Sequence, residues 1–339
     1  MSGFTLGLVI LGGLVLAALV AWNAWTTRRN MPRQAQAPVV AEAAVQPEER
    51  SEPVFDVPLS PPPPEKKPGL DALIDVIAPI AVDAAVSGEA ALAALPPTRR
   101  AGSKPFAIEG RNEATQDWET PRAGQRYTAF QAGVQLANRS GALNDIEYSE
   151  FVMKAQAFAD AVNGAAEFPE MRDEVARARE LDQFASTHDA QLGFTLRARN
   201  AAWSPGYVQQ SAARLGFVAG AMPGRLVLPA GVQGGPPVLV LAFSTQAALA
   251  EDPAHSAIRD VTLSLDVPHV PRSEQPFMRM RDAAIALAAS MDGLITDDDG
   301  RVIPAEALDA IGSDLEQLYD TLDARDLSAG SVQARRLFS

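Results

Sequence analysis

The chain begins with a long apolar run that contains no charged side chain, and this run constrains where the rest of the chain can fold. Residues 1–27 contain no Asp, Glu, Lys or Arg, and Trp22 and Trp25 lie near the end of the run. At a rise of about 1.5 Å per residue, residues 4–25 are long enough to cross a hydrocarbon core of about 30 Å. The alternative is a cleaved signal peptide, but such peptides carry positive charge before the apolar run. The sequence therefore predicts a transmembrane anchor over 1–27.

The charges that flank the anchor predict its orientation. Arg28, Arg29 and Arg33 follow the apolar run, and no basic residue precedes it. Because basic residues concentrate on the cytoplasmic side of membrane spans, we expect a periplasmic N-terminus and a cytoplasmic bulk. Gly3 and Gly7 form a GxxxG motif, which either provides a face for self-association of the anchor or occurs by chance.

A proline-rich stretch separates the anchor from the folded part of the chain. Residues 28–104 include the run Ser60–Pro64 and few aromatic side chains. Such a stretch buries too little apolar surface to offset its ordering entropy, so we expect a flexible tether. Within it, residues 69–86 place apolar side chains at helical spacing. This segment is interpreted either as a transient helix that docks on a partner or as a passive apolar patch.

Composition and motifs exclude several classes of function. The net charge of −13 argues against a nucleic-acid surface, and the absence of cysteine excludes disulfides and thiolate metal sites. The histidines lack the spacing of metal ligands, and no nucleophile elbow or nucleotide-binding glycine motif is present. Residues 297–300 (DDDG) resemble half a calcium loop, but a tight acidic turn is the preferred interpretation. The sequence predicts no cofactor, no metal and no enzymatic activity.

Residues 105–339 alternate strand and helix signals, and their order predicts the fold class. The strand signals lie at 130–136, 192–196, 217–221, 238–243 and 261–267, and the helical stripes at 152–162, 171–181, 205–215, 277–291 and 308–322. The helices are too few for a doubly wound parallel sheet. We therefore expect an α+β fold, in which an antiparallel sheet has helices packed on one face.

The order of these elements resembles the ZipA family of bacterial division proteins. Residues 212–222 (AARLGFVAGAM) are similar to that family's turn from a helix into a strand. Residues 261–268 are similar to its penultimate strand, which also runs into a proline. Residues 277–325 are similar to its closing helix–hairpin–helix. The anchor and the tether match the layout of the family as well.

The resemblance implies an adaptor of the division ring in the bacterial inner membrane. In that family, the uncovered sheet face binds the C-terminal tail of the tubulin-like GTPase FtsZ and so links its filaments to the membrane. The resemblance covers residues 191–325, which would form the peptide-binding domain. Residues 105–190 would be an additional α+β segment, and residues 326–339 a flexible tail.

Strand alternation places a set of side chains on the uncovered face, which we call the groove. Positions that are large and apolar in the family are small or polar here at Gly224, Ser244 and Ser264, which leaves Met222 as the main apolar contact. The predicted groove residues are Gln191, Gly193, Thr195, Ala221, Met222, Gly224, Ala242, Ser244, Gln246, Thr262 and Ser264.

Two other functions stay open at the level of sequence. The first is a membrane-anchored scaffold that keeps the fold but binds a different division or envelope protein. The second is an anchored enzyme whose site carries no recognisable motif.

Overall fold

The computed structural model describes residues 32–35, 69–231, 235–253 and 255–339. The predicted anchor and the part of the tether before residue 69, apart from 32–35, lie outside these residues. Among the described helices, none is both long and apolar enough to cross a membrane. The described residues divide into two compact units: the N-unit, from residues 69–189 and 321–339, and the C-unit, from residues 32–35 and from the described part of 190–320.

The N-unit contains one six-stranded antiparallel sheet. Its strands follow the order β2-β3-β5-β1-β8, and β4 pairs with β3. A two-stranded ribbon, β6–β7, stands apart from it. The elements are β1 Asp75–Ser87, α1 Gly88–Ala94, β2 Arg100–Ala101, β3 Lys104–Asn112, β4 Trp118–Glu119, β5 Arg126–Gln135, β6 Ala137–Asn138, β7 Gly141–Ala142, α2 Asp145–Ala161, β8 Gly164–Ala166 and α3 Met171–His188.

The C-unit contains a second six-stranded antiparallel sheet. Its strands follow the order β10-β11-β12-β13-β9-β14. The elements are β9 Gln191–Ala198, α4 Pro205–Ala213, β10 Val218–Ala219, β11 Arg225–Leu228, β12 Leu239–Ala242, α5 Thr245–Ala248, β13 Asp260–Asp266, α6 Pro276–Met291, β14 Gly293–Thr296 and α7 Ala305–Asp323. The chain is therefore α+β with antiparallel sheets.

Local sequence signals explain where several helices begin. Asn144 caps α2 by accepting from the backbone N–H groups of Ile146 and Glu147, and the Glu147 side chain accepts in return from the Asn144 N–H. Ser204 caps α4 by accepting from the backbone N–H of Tyr207, and Pro205 occupies the first turn of this helix. The predicted start of this helix is confirmed.

The apolar stripe of α6 is the prediction that the structure confirms most fully. Phe277, Met280, Ala284, Leu287 and Met291 are all buried. The ring of Phe277 meets the ring of Phe194 on β9 edge-on, with centroids 6.5 Å apart. This helix therefore packs on one face of the C-unit sheet.

The two units share one topology. In the N-unit, β1 pairs with β5, the last strand of the sheet before α2, and with β8, which follows α2. In the C-unit, β9 pairs in the same way with β13, before α6, and with β14, after α6. Each long helix is followed by a non-glycine residue with positive φ, Asn163 (51°) or Asp292 (56°), and then by the glycine that opens the short strand, Gly164 or Gly293. The N-unit and the C-unit are thus an internal repeat at the level of fold.

The alignment of the long helices extends to their buried faces. The buried residues of α2 and its C-cap fall at the same spacing as those of α6. The matched pairs are Tyr148 with Phe277, Phe151 with Met280, Ala155 with Ala284, Phe158 with Leu287 and Val162 with Met291. Residues 105–190 are therefore the larger part of a second copy of the fold, whereas the sequence predicts an additional segment.

Strand β1 differs from the interpretation of residues 69–86 as tether. Val76, Ala78 and Ile80 are buried at alternate positions and pair with β5 in the middle of the sheet. The helical spacing over these residues arises because Ile77, which lies between two of them, is also apolar. Pro79 within the run was the available signal against a helix.

The C-terminal residues differ from the flexible tail expected there. Residues 332–337 form a short helix, α8 Val332–Leu337, capped by Ser331. Leu327, Leu337 and Phe338 are buried in the N-unit. The sequence does not predict this helix, because six residues are too few to show a helical period.

Candidate functional site

The candidate site is the outward face of the C-unit sheet, opposite the face on which α6 packs. Phe194 and Leu196 point inward and are buried, so the residues between them point outward. The register aligns Gly193 with Ser264 and Thr195 with Thr262. Thr262 also pairs with Ala242 on the next strand. Six predicted groove residues therefore share one face: Gln191, Gly193, Thr195, Ala242, Thr262 and Ser264.

The other five predicted groove residues lie in loops beyond the strands. Ala221, Met222 and Gly224 belong to the connection between β10 and β11, and Ser244 and Gln246 belong to the start of α5. Met222 is 56% exposed, as a contact residue would be. These residues surround one end of the sheet and do not line its face.

Gly224 and Ser244 have local structural roles there. Gly224 has a φ of +77°, and a side chain at this position would come within 2.7 Å of the carbonyl oxygen of Phe243. Glycine is therefore required for the turn. The hydroxyl of Ser244 accepts from the backbone N–H of Ala247 and caps α5. The small size of both residues follows from backbone geometry.

A cavity of about 290 Å³ opens at one end of this face. Gln191, Val240 and Ser264 contribute to it from three strands, and Pro236 and Pro237 form one wall. The predicted groove does not include Val240, although side chains alternate along β12 and Val240 therefore points to the same face as Ala242. The cavity is a shallow depression of mixed polarity, suited to one or two side chains of a bound peptide.

Charged groups surround the face. Arg197 is paired with Asp260 at 2.8 Å, and the Asp266 carboxylate lies 3.4 Å from the His269 ring. The acidic turn reaches over the sheet, so that an added Cβ at Gly193 would lie 3.8 Å from an Asp298 carboxylate oxygen. A peptide on this face would therefore meet both signs of charge at its edges.

One end of the equivalent face of the N-unit is covered by segments of its own chain, whereas Pro79 further along β1 is exposed. The register makes Asp75, Gly133 and Gln135 the equivalents of Gln191, Ser264 and Asp266. The Arg336 guanidinium donates two hydrogen bonds to the Asp75 carboxylate, at 2.6 and 2.9 Å.

Two further contacts complete this cover. Leu70 lies directly over Gly133, where an added Cβ would come within 2.4 Å of a Leu70 methyl carbon. The Gln135 side-chain amide donates to the Arg336 carbonyl oxygen at 2.8 Å. Asp75 and Gln135 are each only 1% exposed as a result. Alternation along β5 places Gln135 on the outward face of the strand, but it does not indicate the distant segment that covers this residue.

The described residues offer no group of His, Asp and Glu side chains that could hold a metal ion. The acidic turn is closed by its own hydrogen bonds, because the Asp297 carboxylate accepts from the Arg301 N–H and the Asp297 carbonyl oxygen accepts from the Gly300 N–H. The preferred interpretation of this sequence as a tight turn is thus confirmed. His188 stacks on Phe184 with ring centroids 4.2 Å apart.

Comparison with known proteins finds no family model and no curated protein that matches this chain.

Proposed function

We propose that this chain is a membrane-tethered adaptor that binds the C-terminal tail of FtsZ on the outward face of the C-unit sheet. It would link FtsZ filaments to the bacterial inner membrane at the division site, through the anchor at residues 4–25. The proposal includes no catalytic step, and binding would rest on shape and apolar contact alone. The single observation that carries it is the outward face formed by Gly193, Thr195, Thr262 and Ser264, of which Thr262 is exposed and the others are half-buried.

The N-unit provides an internal example of how this topology holds a peptide. There, an aliphatic side chain lies on a glycine, and an arginine binds a carboxylate at the end of the first strand. The C-unit has small residues at Gly193 and Ser264, which would allow a backbone to approach equally closely. In the N-unit the chain itself occupies one end of this face, which supports a binding role for the equivalent end of the C-unit face.

The chemistry of the face predicts weak binding. Burial of one or two aliphatic side chains contributes roughly 2–4 kcal/mol at about 25 cal/mol per Å², and association costs offset part of this. Because the net gain is at most about 4 kcal/mol, we expect a dissociation constant of about 1 mM or weaker. Weak single contacts suit an adaptor that meets many copies of a tail along one filament.

Titration of the full-length chain in nanodiscs with a labelled peptide of the last dozen residues of FtsZ tests the proposal. Thr262→Arg should weaken peptide binding about tenfold or more, because it places a long charged side chain in the middle of the face. Gln131→Arg is the matched control, since Gln131 is the equivalent residue of the N-unit. Equal binding by both variants and the parent would refute this site.

Two further results would redirect the proposal. A reporter fused after Ser339 should be active in the cytoplasm, and activity only in the periplasm would contradict the orientation.

The polar side chains of Thr195, Thr262 and Ser264 favour a second candidate, a scaffold for a different division or envelope protein. This candidate gains support if the FtsZ peptide fails to bind while Thr262→Arg still impairs division in cells.

A further inference from the structure

The outer edge of β12 in the C-unit is paired with a short strand. Residues 225–228 of β11 align antiparallel with residues 239–242. Leu226 and Leu228 point inward from this strand and are 5% and 8% exposed. The sheet therefore gains both backbone pairing and two buried leucines at this edge.

The equivalent edge of the N-unit lacks such a strand. Strand β2 pairs with residues 104–105 of β3, and β4 pairs with residues 110–111. Within the described residues, no strand pairs with this edge of β3 from Ala107 to Glu109. The alignment of the units matches Ile108 with Leu241, which pairs with Leu226 in the C-unit.

The backbone of Ile108 faces this gap. The Phe106 N–H donates outward to the Arg99 carbonyl oxygen at 2.9 Å, away from β5. Because backbone groups alternate between the two edges along a strand, the N–H and C=O of Ile108 point to the same outer edge. An exposed edge of this kind is a template for an added strand.

A cavity of about 370 Å³ lies over the gap. Its walls include Leu92 and Leu95 from the end of α1 and the Pro96–Pro97 pair that follows. Phe106 and Ile108 contribute from the strand, and Leu92 is 40% exposed. The site thus combines a stretch of β3 backbone, with which no described strand pairs, and an open cavity of mixed lining, whose apolar part is the set of side chains just named.

We propose that this gap binds an extended segment of a partner protein, which adds to β3 as an antiparallel strand at Ala107–Glu109. Strand β11 shows the chemistry that fits: a short extended segment with an aliphatic side chain opposite Ile108, as Leu226 lies opposite Leu241. This side chain enters the cavity beside Phe106 and Ile108. The residue opposite Ile108 is not proline, because it must donate its N–H to the Ile108 carbonyl oxygen.

Two charged residues, Arg99 and Glu109, line the cavity. The Glu109 carboxylate accepts from the Leu70 N–H at 3.1 Å and from the Gln131 side-chain amide at 2.8 Å, so its oxygens are already hydrogen-bonded. The site lies in the N-unit and is independent of the groove proposed for FtsZ.

The experiment uses the full-length chain in nanodiscs and a fluorescent peptide with the sequence of residues 224–230, GRLVLPA, as the probe. We expect a saturable rise in anisotropy, and at least tenfold slower hydrogen exchange at the Ile108 amide. A probe with serine in place of both leucines should bind at least tenfold more weakly.

Leu92→Arg should weaken binding of the probe tenfold or more, because it fills the cavity with a charged side chain. Ala93→Arg is the matched control, an exposed neighbour on the same helix outside the cavity, and should bind within twofold of the parent. No binding at 1 mM probe, or protection at β12 in place of β3, would overturn the proposal. Full protection of the Ile108 amide in the free chain would also overturn it, because the chain itself would then occupy the gap.

Discussion

Replacement of Arg336 by alanine should destabilise the N-unit, because it removes the charged partner of a buried carboxylate. The side chain of Asp75 is 0% exposed and that of Arg336 is 18% exposed. Loss of one member of a buried pair typically costs about 3–5 kcal/mol. Asp75 keeps the hydrogen bond from the Asp71 N–H at 2.8 Å, so we expect the lower end, about 3 kcal/mol. For a unit of this size, that corresponds to a fall in Tm of roughly 10 °C.

This loss should depend on pH. Burial raises the pKa of the Asp75 carboxyl, and hydrogen bonds and charge from Arg336 lower it, with a net rise above its ordinary value. A raised pKa means that the folded state binds the proton more tightly, so the free energy of unfolding falls as pH rises through the range between the two pKa values. Arg336→Ala removes the lowering contributions and raises the pKa of Asp75 further. The variant should therefore lose least stability at acid pH, where the carboxyl is protonated, and most near neutrality.

Hydrogen exchange measured by mass spectrometry separates the two units in this assay. Amides of β1 and β5 should exchange faster in Arg336→Ala, while those of β9 and β13 should not change. Arg335→Ala is the matched control on the same helix, and Asp75→Asn in the Arg336→Ala background should recover part of the loss. Unchanged exchange of β1 and β5 in Arg336→Ala would refute the reasoning.

Two further pairs of substitutions test the packing of the units. Gly133→Val should destabilise the N-unit by about 1–3 kcal/mol in urea unfolding, because it displaces Leu70, whereas Gly193→Val at the open face should cost less than about 0.5 kcal/mol. An equal cost at both positions would show that Leu70 does not cover the face. Tyr319→Phe should leave the C-unit as stable or up to about 1 kcal/mol more stable, since the buried hydroxyl has no hydrogen-bond partner among the described residues and burial raises its pKa to about 12. Tyr207→Phe, which removes a hydroxyl that donates to a backbone carbonyl, should cost about 0.5–1.5 kcal/mol in the same assay.

Amphipathic helices and half-buried strands could be predicted from the sequence because each has one apolar and one polar face. The stripe of α6 and the alternation of β9 both follow this rule. Strand β1 does not, because its outward residues are partly apolar and the covered end of the sheet removes the contrast between faces. The short strand β11, Arg225–Leu228, shows only two alternating leucines, which is too little periodicity to identify a strand.

The candidate face could be predicted only in part, for a similar reason. Alternation along β9 and β13 correctly separates outward from inward residues, since period two is a property of the strand itself. It fails at Met222 and Gly224, where the strand has already ended and the side chains follow a turn. The pairing that brings Val240 beside Ser264 depends on register, which the sequence does not specify.

The internal repeat was missed although a signal for it was present. The sequence AQAFADAVNG at 155–164 aligns with AIALAASMDG at 284–293, with alanines at three matching positions and the same final glycine. Such a short match is weak alone. It becomes informative once Asn163 and Asp292 are seen to share a positive φ before that glycine.

The path of the chain through the N-unit has a consequence for its synthesis. Residues 190–320 of the C-unit lie between residues 189 and 321 of the N-unit, so the segment that carries Arg336 is made after them. At about 5–20 residues per second, roughly 10–30 s separate the synthesis of α3 from that of α8. During this interval residues 190–320 are themselves synthesised, and Asp75 has no arginine partner. The ribosome therefore completes the second unit of the sequence before it completes the first.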